Sequence, residues 1–501
     1  MKRTRREALK VLGLSACAAP LLARAQGSPP NVVFIITDDQ QQASMGAYGN
    51  TILKTPNMDR IATGGIRFNE AFTATSLCAP SRASYFTGLY PHAHGITTNG
   101  DGPQFYNGPG LPRSKPTFWR VLGEAGYYTG FTGKWHLKGR PEAVDEYVIF
   151  PWQGEYQDPD MIANGARIRM RGHADDAVGD ISLEFLKHRP RHRPFCLLIS
   201  FKSPHRTWQP AERFKDALKD VAIPLPRTLE EKLEGKPQAV RAAEMALADM
   251  PDYQDRVPRS LPPSERRKRN LELMFKDYYR VLMSVDENVG RVLDALDRDG
   301  LARDTLVIYV SDNGFFLGEH GLYDKRLMYE PSIRVPMVMR YPGKIAPGTV
   351  NTRQLVLNVD IFPTVLQLAG VPVPAGLHGR SLVPLFSRAR VPWRDAILYS
   401  YEEYPAGHCV RKHRGVRTER YKLIHFWEQP EEWELYDLAK DPDETRNLVR
   451  EGALASTFTA LKARLNELRR EVGDVDPPGP RPVAELCKDG HAMGFPQGES
   501  K

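Results

Sequence analysis

Residues 31–37, NVVFIIT, are apolar without interruption and run into Asp38-Asp39. A run apolar on both faces predicts a strand inside a sheet that is covered on both sides. Similar runs occur at 195–201 (FCLLISF), at 305–314 (TLVIYVSDNG) and at 335–343 (VPMVMRYPG). Helical patterns lie between them. From Leu271 to Leu296, for example, Leu282, Val285, Val289 and Leu293 recur at three- and four-residue spacing, the period of a helix face. Strands alternating with helices predict an α/β sheet. Two of the strands end in acidic or amide residues, Asp38-Asp39 and Asp312-Asn313. Ligand sites in such sheets lie beyond the carboxyl ends of the strands, so two segments distant in sequence are expected to converge on one site.

From about Pro392 the texture changes. Short strands are expected at 397–400, 416–418, 421–426 and 433–437, then a helix at about 453–472. This reads as a smaller α+β domain over 391–475, following a larger domain over 28–390. The segment 209–269 is charged and punctuated by proline, and is expected to be a surface insertion. The tail, 476–501, has little periodicity.

The first 25 residues read as a targeting segment. Thr4 to Lys10 (TRREALK) resembles a twin-arginine export motif. An apolar stretch from Val11 to Leu22 follows, and Ala23-Arg24-Ala25 has the form of a cleavage site. The stretch is too short and too interrupted to span a bilayer. The implied partner is the twin-arginine export machinery, and the implied location is periplasmic or secreted. Leu14-Ser15-Ala16-Cys17 also resembles a lipoprotein processing site; release at Ala25 is favoured, because cleavage before Cys17 leaves Leu21-Leu22 exposed to no purpose.

Composition narrows the classes. A chain of 501 residues with 41% hydrophobic content is long enough for two or more folding units. The formal charge of +8, from 69 Lys and Arg against 61 Asp and Glu, suits an anionic substrate or surface. No block of basic residues interleaved with aromatics occurs, which argues against nucleic acid. The five cysteines are Cys17, Cys78, Cys196, Cys409 and Cys487. Cys196 falls in a buried strand and is expected to be inert. Cys409 and Cys487 could pair in an exported protein, which spacing alone does not establish.

The stretch SLCAPSRASYFTGLYPHAHGI, from Ser76 to Ile96, contains Cys78-Ala79-Pro80-Ser81-Arg82 and Thr87-Gly88. It resembles the signature of type I sulfatases of the alkaline phosphatase superfamily, in which cysteine is oxidised to formylglycine. Four further segments appear in the order expected of that family: Asp38-Asp39, Gly133-Lys134-Trp135-His136, Ser203-Pro204-His205 and Ser311-Asp312-Asn313-Gly314. The resemblance covers about 30–449. It implies a large central mixed sheet flanked by helices, alkaline phosphatase-like, with the smaller C-terminal α+β domain. It also implies a maturation enzyme that generates the formylglycine.

The chemistry of the residues agrees. A cysteine is a poor carrier for repeated sulfate transfer, because an S-sulfated thiol has no easy internal release. A hydrated aldehyde has one: the first hydroxyl takes up sulfate and the second, once deprotonated, expels it. Asp38, Asp39, Asp312 and Asn313 form an all-oxygen set suited to calcium or magnesium; the resemblance points to calcium, with Cys78 also a ligand once converted. It further implies that Arg82 anchors the nucleophile turn, that Lys134 and Lys325 bind sulfate, that His136 assists release and that His205 protonates the leaving alcohol. His92, His94, His320 and His378 are left out of the catalytic set.

For the substrate, Gly321 to Glu330 (GLYDKRLMYE) and Tyr401-Glu402-Glu403-Tyr404-Pro405, continuing through His408 and His413 to Leu423, resemble N-acetylglucosamine-6-sulfatases more than arylsulfatases. Polar groups beside aromatics suit a sugar, and Arg411, Lys412 and His413 are candidates to read a neighbouring carboxylate, sulfate or hydroxyl; joining the two domains is the competing role. The leading expectation is an exo-acting sulfatase on sulfated glycans, with 6-sulfated N-acetylglucosamine of heparan sulfate or mucin first. Choline or aryl sulfates, a phosphodiester or phosphonate monoester, and a catalytically silent carbohydrate-binding role are the alternatives.

Overall fold

The 31–37 run becomes strand β1 (Asn31–Thr37), and all seven of its residues are buried. In the computed structural model, which describes residues 29–100, 111–112, 114–387, 391–476 and 482, β1 lies in the middle of a ten-stranded sheet. The other nine strands, in chain order, are β2 (Ile66–Phe68), β3 (Tyr128–Gly133), β4 (Glu146–Ile149), β5 (Asp160–Ala163), β6 (Ala166–Arg169), β7 (Phe195–Ser200), β8 (Thr305–Ser311), β9 (Met337–Arg340) and β10 (Thr349–Asn351). Their spatial order is β10-β2-β9-β8-β1-β7-β3-β4-β5-β6. The centre, from β8 through β4, is parallel. The sheet is nevertheless mixed, as expected, because β9 and β5 run antiparallel to their neighbours.

Side chains alternate along β1. Val33 and Ile35 enter a core on one face, and Val32, Phe34 and Ile36 enter a core on the other, as a period of two requires. Helices α1 (Pro56–Thr63), α4 (Ala174–His188) and α5 (Pro263–Arg298) contribute to the first core. Helices α2 (Cys78–Thr87), α3 (Phe118–Glu124) and α6 (Ile361–Ala369) contribute to the second. Both faces are therefore covered, which explains why the central strands carry no polar alternation.

The C-terminal part forms an antiparallel four-stranded sheet, β11 (Ala396–Tyr401), β12 (His413–Thr418), β13 (Tyr421–Phe426) and β14 (Glu432–Asp437). Helix α7 (Ala455–Glu471) packs Leu461, Leu465 and Leu468 into the same core as these strands. The junction with the large sheet is charged. Lys422, fully buried, lies 2.8 Å from Glu330 and 2.6 Å from Glu444, and Arg417 lies 2.7 Å from Glu70. Fixed ion pairs desolvated together specify one docking geometry better than an apolar face could, because breaking one leaves a buried charge unpaired.

Residues 209–269 lie largely at the surface, but some of their apolar side chains are buried. Leu229, Val240, Met245, Leu247 and Met250 are all 2% exposed or less. Lys236 lies over the rings of Tyr329 and Tyr436, and Glu244 exchanges backbone contacts with His408. The segment wedges between the two sheets. Its end, 263–269, is the first two turns of α5, which starts at Pro263 after Pro262 rather than near Leu271. Pro262 and Pro263 open this helix, since proline costs nothing at a first turn that has no partner for its N–H. Cys196 is free and fully buried in β7. Cys409 is disulfide-bonded; Cys487, Cys17 and the export segment lie outside the described residues.

One glycine sets the approach to the site. Gly133 ends β3 with φ +94°, and a Cβ there would stand 1.8 Å from the Ser200 carbonyl oxygen, the oxygen that accepts the Lys134 N–H at 2.8 Å. Gly133→Ala is expected to destabilise the protein by about 3 kcal/mol, from left-handed backbone and overpacking together. Urea unfolding of the two proteins checks this; a difference below about 0.5 kcal/mol would show that the strand end yields.

Candidate active site

The parallel register pairs Thr37 with Ser311, so the next residues, Asp38 and Asp312, emerge side by side. Asp39 turns back with φ 69°, and its N–H donates to Asp312 Oδ1 at 3.0 Å. The carboxylates of Asp38, Asp39 and Asp312 come within 4.8 Å of one another and are fully buried. Strand β7 lies on the other side of β1 and carries Ser203-Pro204-His205 past its end, where the Ser203 carbonyl accepts the Asp38 N–H at 3.2 Å. His205 Nε2 stands 3.9 Å from Asp39 Oδ2. Beyond it, β3 delivers Lys134, whose ammonium meets Asp38 Oδ2.

Helix α2 begins at Cys78, and all ten of its residues are buried. Cys78 Sγ lies 3.4 Å from Asp38 Oδ1 and 3.9 Å from Asp39 Oδ1. One turn later Arg82 reaches Asp312 Oδ2 through Nε at 2.9 Å and Asp38 Oδ2 through Nη2 at 3.2 Å. Its Nη1 donates to the Lys134 carbonyl at 2.9 Å and to Ser200 Oγ at 2.6 Å. Only the planar fork of arginine satisfies four acceptors from four strand ends at once. Ser81 donates to the Asp312 carbonyl. The spacing Cys-x-x-Ser-Arg thus places a nucleophile and its two anchors on one helical turn. From the far side, Lys325 Nζ lies 2.6 Å from each oxygen of Asp39.

Three carboxylates therefore face three cations, Arg82, Lys134 and Lys325, with no water-exposed side chain among them. Although burial opposes ionisation, Lys134, His205 and Arg82 hold Asp38 well below the usual carboxylate range. Burial pushes Asp39 up to about 7, with Asp38 and Asp312 adding to the rise against Lys325. Burial, then Lys134, pushes the His136 and His205 imidazoles well below their ordinary value. Burial, then Asp38, raises the Cys78 thiol far above its ordinary value, so as cysteine this side chain is a poor nucleophile.

The donor set fits a hard divalent cation. It is all oxygen, it is dry, and Asn313 Oδ1 is buried with no hydrogen-bond donor among the described residues. Beside three carboxylates, such an acceptor is free to join them on a cation.

Several residues at the site were not singled out in the sequence. Gln153 stands between Lys134, which donates to its Oε1, and His136, 3.0 Å from its Nε2. Asn99 accepts the Ala79 N–H at 3.0 Å and donates its own N–H to Glu403 Oε1 at 2.7 Å, tying the start of α2 to the second sheet. Flanking Lys325, Asp324 and Arg326 pair with each other; Asp324 also pairs with Arg206 at 3.3 Å and His408 at 3.2 Å, and Glu403 lies 3.9 Å from Arg326. Gln153, Asn99 and Arg206 have no sequence signal beyond polarity, because each acts through a contact made in space; Asp324, Arg326, Glu403 and His408 lie in the two stretches that resemble N-acetylglucosamine-6-sulfatases.

The substrate candidates land differently. His413 is fully buried, 5.0–5.6 Å from the rings of Tyr399, Tyr401 and Phe426. Arg411 is taken up by Glu432 at 3.0 Å and by the Glu428 and Pro430 carbonyls. Lys412 pairs with Glu428 at 3.3 Å. These contacts lie within the C-terminal part rather than between the two domains, and the carboxylate cluster is not among their partners. His94 bonds Ser84, His92 meets the Val472 carbonyl, His378 meets the Tyr90 N–H and His320 pairs with Glu231; these four are structural.

Such a centre, with a cysteine at a helix start, a cluster of buried carboxylates and basic groups converging from separate loops, suits the hydrolysis of anionic esters. The chain belongs to the sulfatase family: the sulfatase model matches residues 30–371, and the model of the N-sulphoglucosamine sulphohydrolase C-terminal region matches 318–471. It is 36% identical over 518 residues to an N-acetylglucosamine-6-O-sulfatase of Bacteroides thetaiotaomicron, covering 94% of this chain and 91% of that protein. The human N-acetylglucosamine-6-sulfatase is 29% identical over 418 residues, 79% of this chain and 71% of its own. A solved structure in complex with its substrate D-glucosamine-2-N,6-O-disulfate superposes with a TM-score of 0.83 at 34% identity, covering 90% of this chain and 99% of that one. The phosphonate monoester hydrolase of Agrobacterium radiobacter, at 23% identity and TM-score 0.69 over 88% of this chain and 96% of its own, shares the fold. The protein is accordingly a sulfuric ester hydrolase.

Asp312→Ala is expected to lose bound metal and at least ~100-fold in kcat, since even groups that only support a metal ligand cost 10–100-fold. Elemental analysis of the purified variant checks the first. Full occupancy there would remove Asp312 from the ligand set. Chelation should also lower the Tm of the wild type, because a cation bound only by the folded state stabilises it.

Proposed function

We propose that this sulfatase acts on the non-reducing ends of sulfated glycans, removing the 6-O-sulfate of N-acetylglucosamine or N-sulfoglucosamine in heparan sulfate or mucin. The observation that carries this reading is the full-length similarity to a protein named for that sugar, together with the substrate named for the superposed structure. In this reading Cys78 is converted to formylglycine by a maturation enzyme, and one divalent cation, calcium before magnesium, is held by Asp38, Asp39, Asp312 and Asn313. When present, the two groups supply a hydroxyl pair for taking up and expelling sulfate, and positive charge against its oxygens.

The chain's own residues do the rest. Arg82 fixes the first turn of α2 against Asp38 and Asp312, so the nucleophile atom cannot drift from the cage. Lys134 and Lys325 turn from the carboxylates to the incoming sulfate, which neutralises charge that grows toward the leaving oxygen. His205, 3.9 Å from Asp39, is placed to protonate the departing alcohol, and His136 assists release. The polar group around Lys325, namely Asp324, Arg326, Arg206 and His408, offers hydrogen-bonding partners to sugar hydroxyls next to the sulfate. It replaces Arg411, Lys412 and His413 as the group to test for sugar recognition. Export through the twin-arginine machinery carries folded cargo, so conversion of Cys78 precedes folding, in the cytoplasm. No helix among the described residues is long and apolar enough to cross a membrane.

Mass spectrometry of the peptide spanning Cys78, from protein made with a competent maturation enzyme, should show formylglycine. Cys78→Ala should fold and turn nothing over. An unmodified thiol in fully active protein would sink this mechanism.

Rates on 6-sulfated N-acetylglucosamine, 6-sulfated galactose, a 2-sulfated uronate disaccharide, choline sulfate, an aryl sulfate and a phosphonate monoester decide the substrate. The first should lead by at least tenfold in kcat/KM, about 1.4 kcal/mol in transition-state binding. A lead by choline sulfate, the aryl ester or the phosphonate ends the glycan reading; a lead by another sugar ends only the choice of sugar.

A further inference from the structure

Gln153 lies in a loop, 150–156, that no strand or helix contains, yet it is held on three sides. Lys202, 4% exposed, donates to its backbone carbonyl at 3.2 Å and sits 4.8 Å from the ring centre of Tyr156. Tyr156 in turn donates its hydroxyl to the His205 carbonyl at 2.6 Å. Trp152 stands edge-on to His136 at 5.1 Å. Gly154 makes the turn with φ +72°, where a Cβ would lie 2.7 Å from the Phe150 ring. The loop thus places one neutral amide between Lys134 and His136.

The chemistry of that amide decides the state of the imidazole. An ammonium has only donors, so Lys134 must meet the amide oxygen. The amide nitrogen, with only donors, then faces His136 Nε2 at 3.0 Å. A ring nitrogen that accepts from N–H has its lone pair there and carries no proton. In neutral imidazole the proton is then on Nδ1. An imidazolium would oppose N–H to N–H across the same gap. The charged groups around the ring are Lys134 on its own segment, Asp38 beyond β1, Arg82 on α2 and Lys325.

We propose that Gln153 is a positioning residue that locks His136 as the Nδ1-protonated neutral tautomer, through an amide whose orientation Lys134 fixes. His136 then offers a hydrogen bond from Nδ1 and accepts no proton there. This rests on the sulfatase chemistry above for its consequence, not for its geometry. Gln153→Glu presents an acceptor where the amide presented a donor, and so draws the ring proton to Nε2.

The test uses the mature, metal-loaded enzyme labelled with 15N-histidine. Two-bond 1H–15N correlation distinguishes the tautomers, and comparison with His136→Gln assigns the signals. The wild type should show the Nδ1–H pattern at pH 7. Gln153→Glu should shift to Nε2–H and lose about 10–100-fold in kcat, with KM changed less than threefold. An Nε2–H or imidazolium pattern in the wild type overturns the proposal. So does a Gln153→Glu enzyme with unchanged tautomer or unchanged kcat. Should that variant fail to fold, the wild-type spectrum alone decides. The spectrum needs no turnover, so a failure of the sulfatase-on-glycan reading would appear only in the substrate panel.

Discussion

Three carboxylates buried side by side repel one another and lose their hydration, and the architecture around them answers that cost. Asp38, Asp39 and Asp312 stand at the carboxyl ends of two adjacent parallel strands in the middle of the sheet. Arg82 is the main protein counter-charge that bridges them: its fork binds Asp38, Asp312, Ser200 and the Lys134 carbonyl. Because those acceptors come from β1, β8, β7 and the end of β3, one guanidinium sets the relative positions of four strand ends. Removing it would leave buried carboxylates without their partner, the costly half of breaking a buried ion pair.

The same cluster explains why Cys78 sits where it does. Cys78 is the first residue of α2, one turn before Arg82, so anchoring the arginine fixes the sulfur beside Asp38. The second sheet reaches this point through short polar contacts. Asn99 joins the start of α2 to Glu403, and the Tyr399 hydroxyl donates to the Arg326 carbonyl next to Lys325. A rigid parallel centre thus supplies the charges of the reaction, and loops braced by the smaller sheet surround them. Specificity is free to change in those loops while the central cage stays fixed.

Loop 150–156 shows how much of such a site depends on groups with no chemistry of their own. Gln153 is neutral, yet it stands against both Lys134 and His136, and Tyr156 holds the His205 backbone carbonyl. In a dry site a hydrogen bond that sets direction has large leverage, because no water competes for the same donor.

Uninterrupted apolar runs determined β1, β7 and β8 by themselves, because a strand covered on both faces leaves no position polar. The acidic residues that end those runs and the Cys78–Gly88 signature were equally legible, since the chemistry demands fixed residue types at fixed spacing. The C-terminal strands and terminal helix could be read to within a few residues for the same local reasons. Tertiary structure alone decided the rest. Residues 209–269 look solvated because charges and prolines dominate their composition, but their scattered apolar side chains are buried between two sheets that no local pattern announces. His413 and Arg411 look like ligands for a sugar; a ring of aromatics and a set of carbonyls, assembled from separate strands, take them up instead. Gln153 and Asn99 carry no signal, because their importance lies in what faces them. Periodicity and spacing report on neighbours along the chain, whereas the direction of a hydrogen bond between distant residues exists only once the chain has folded.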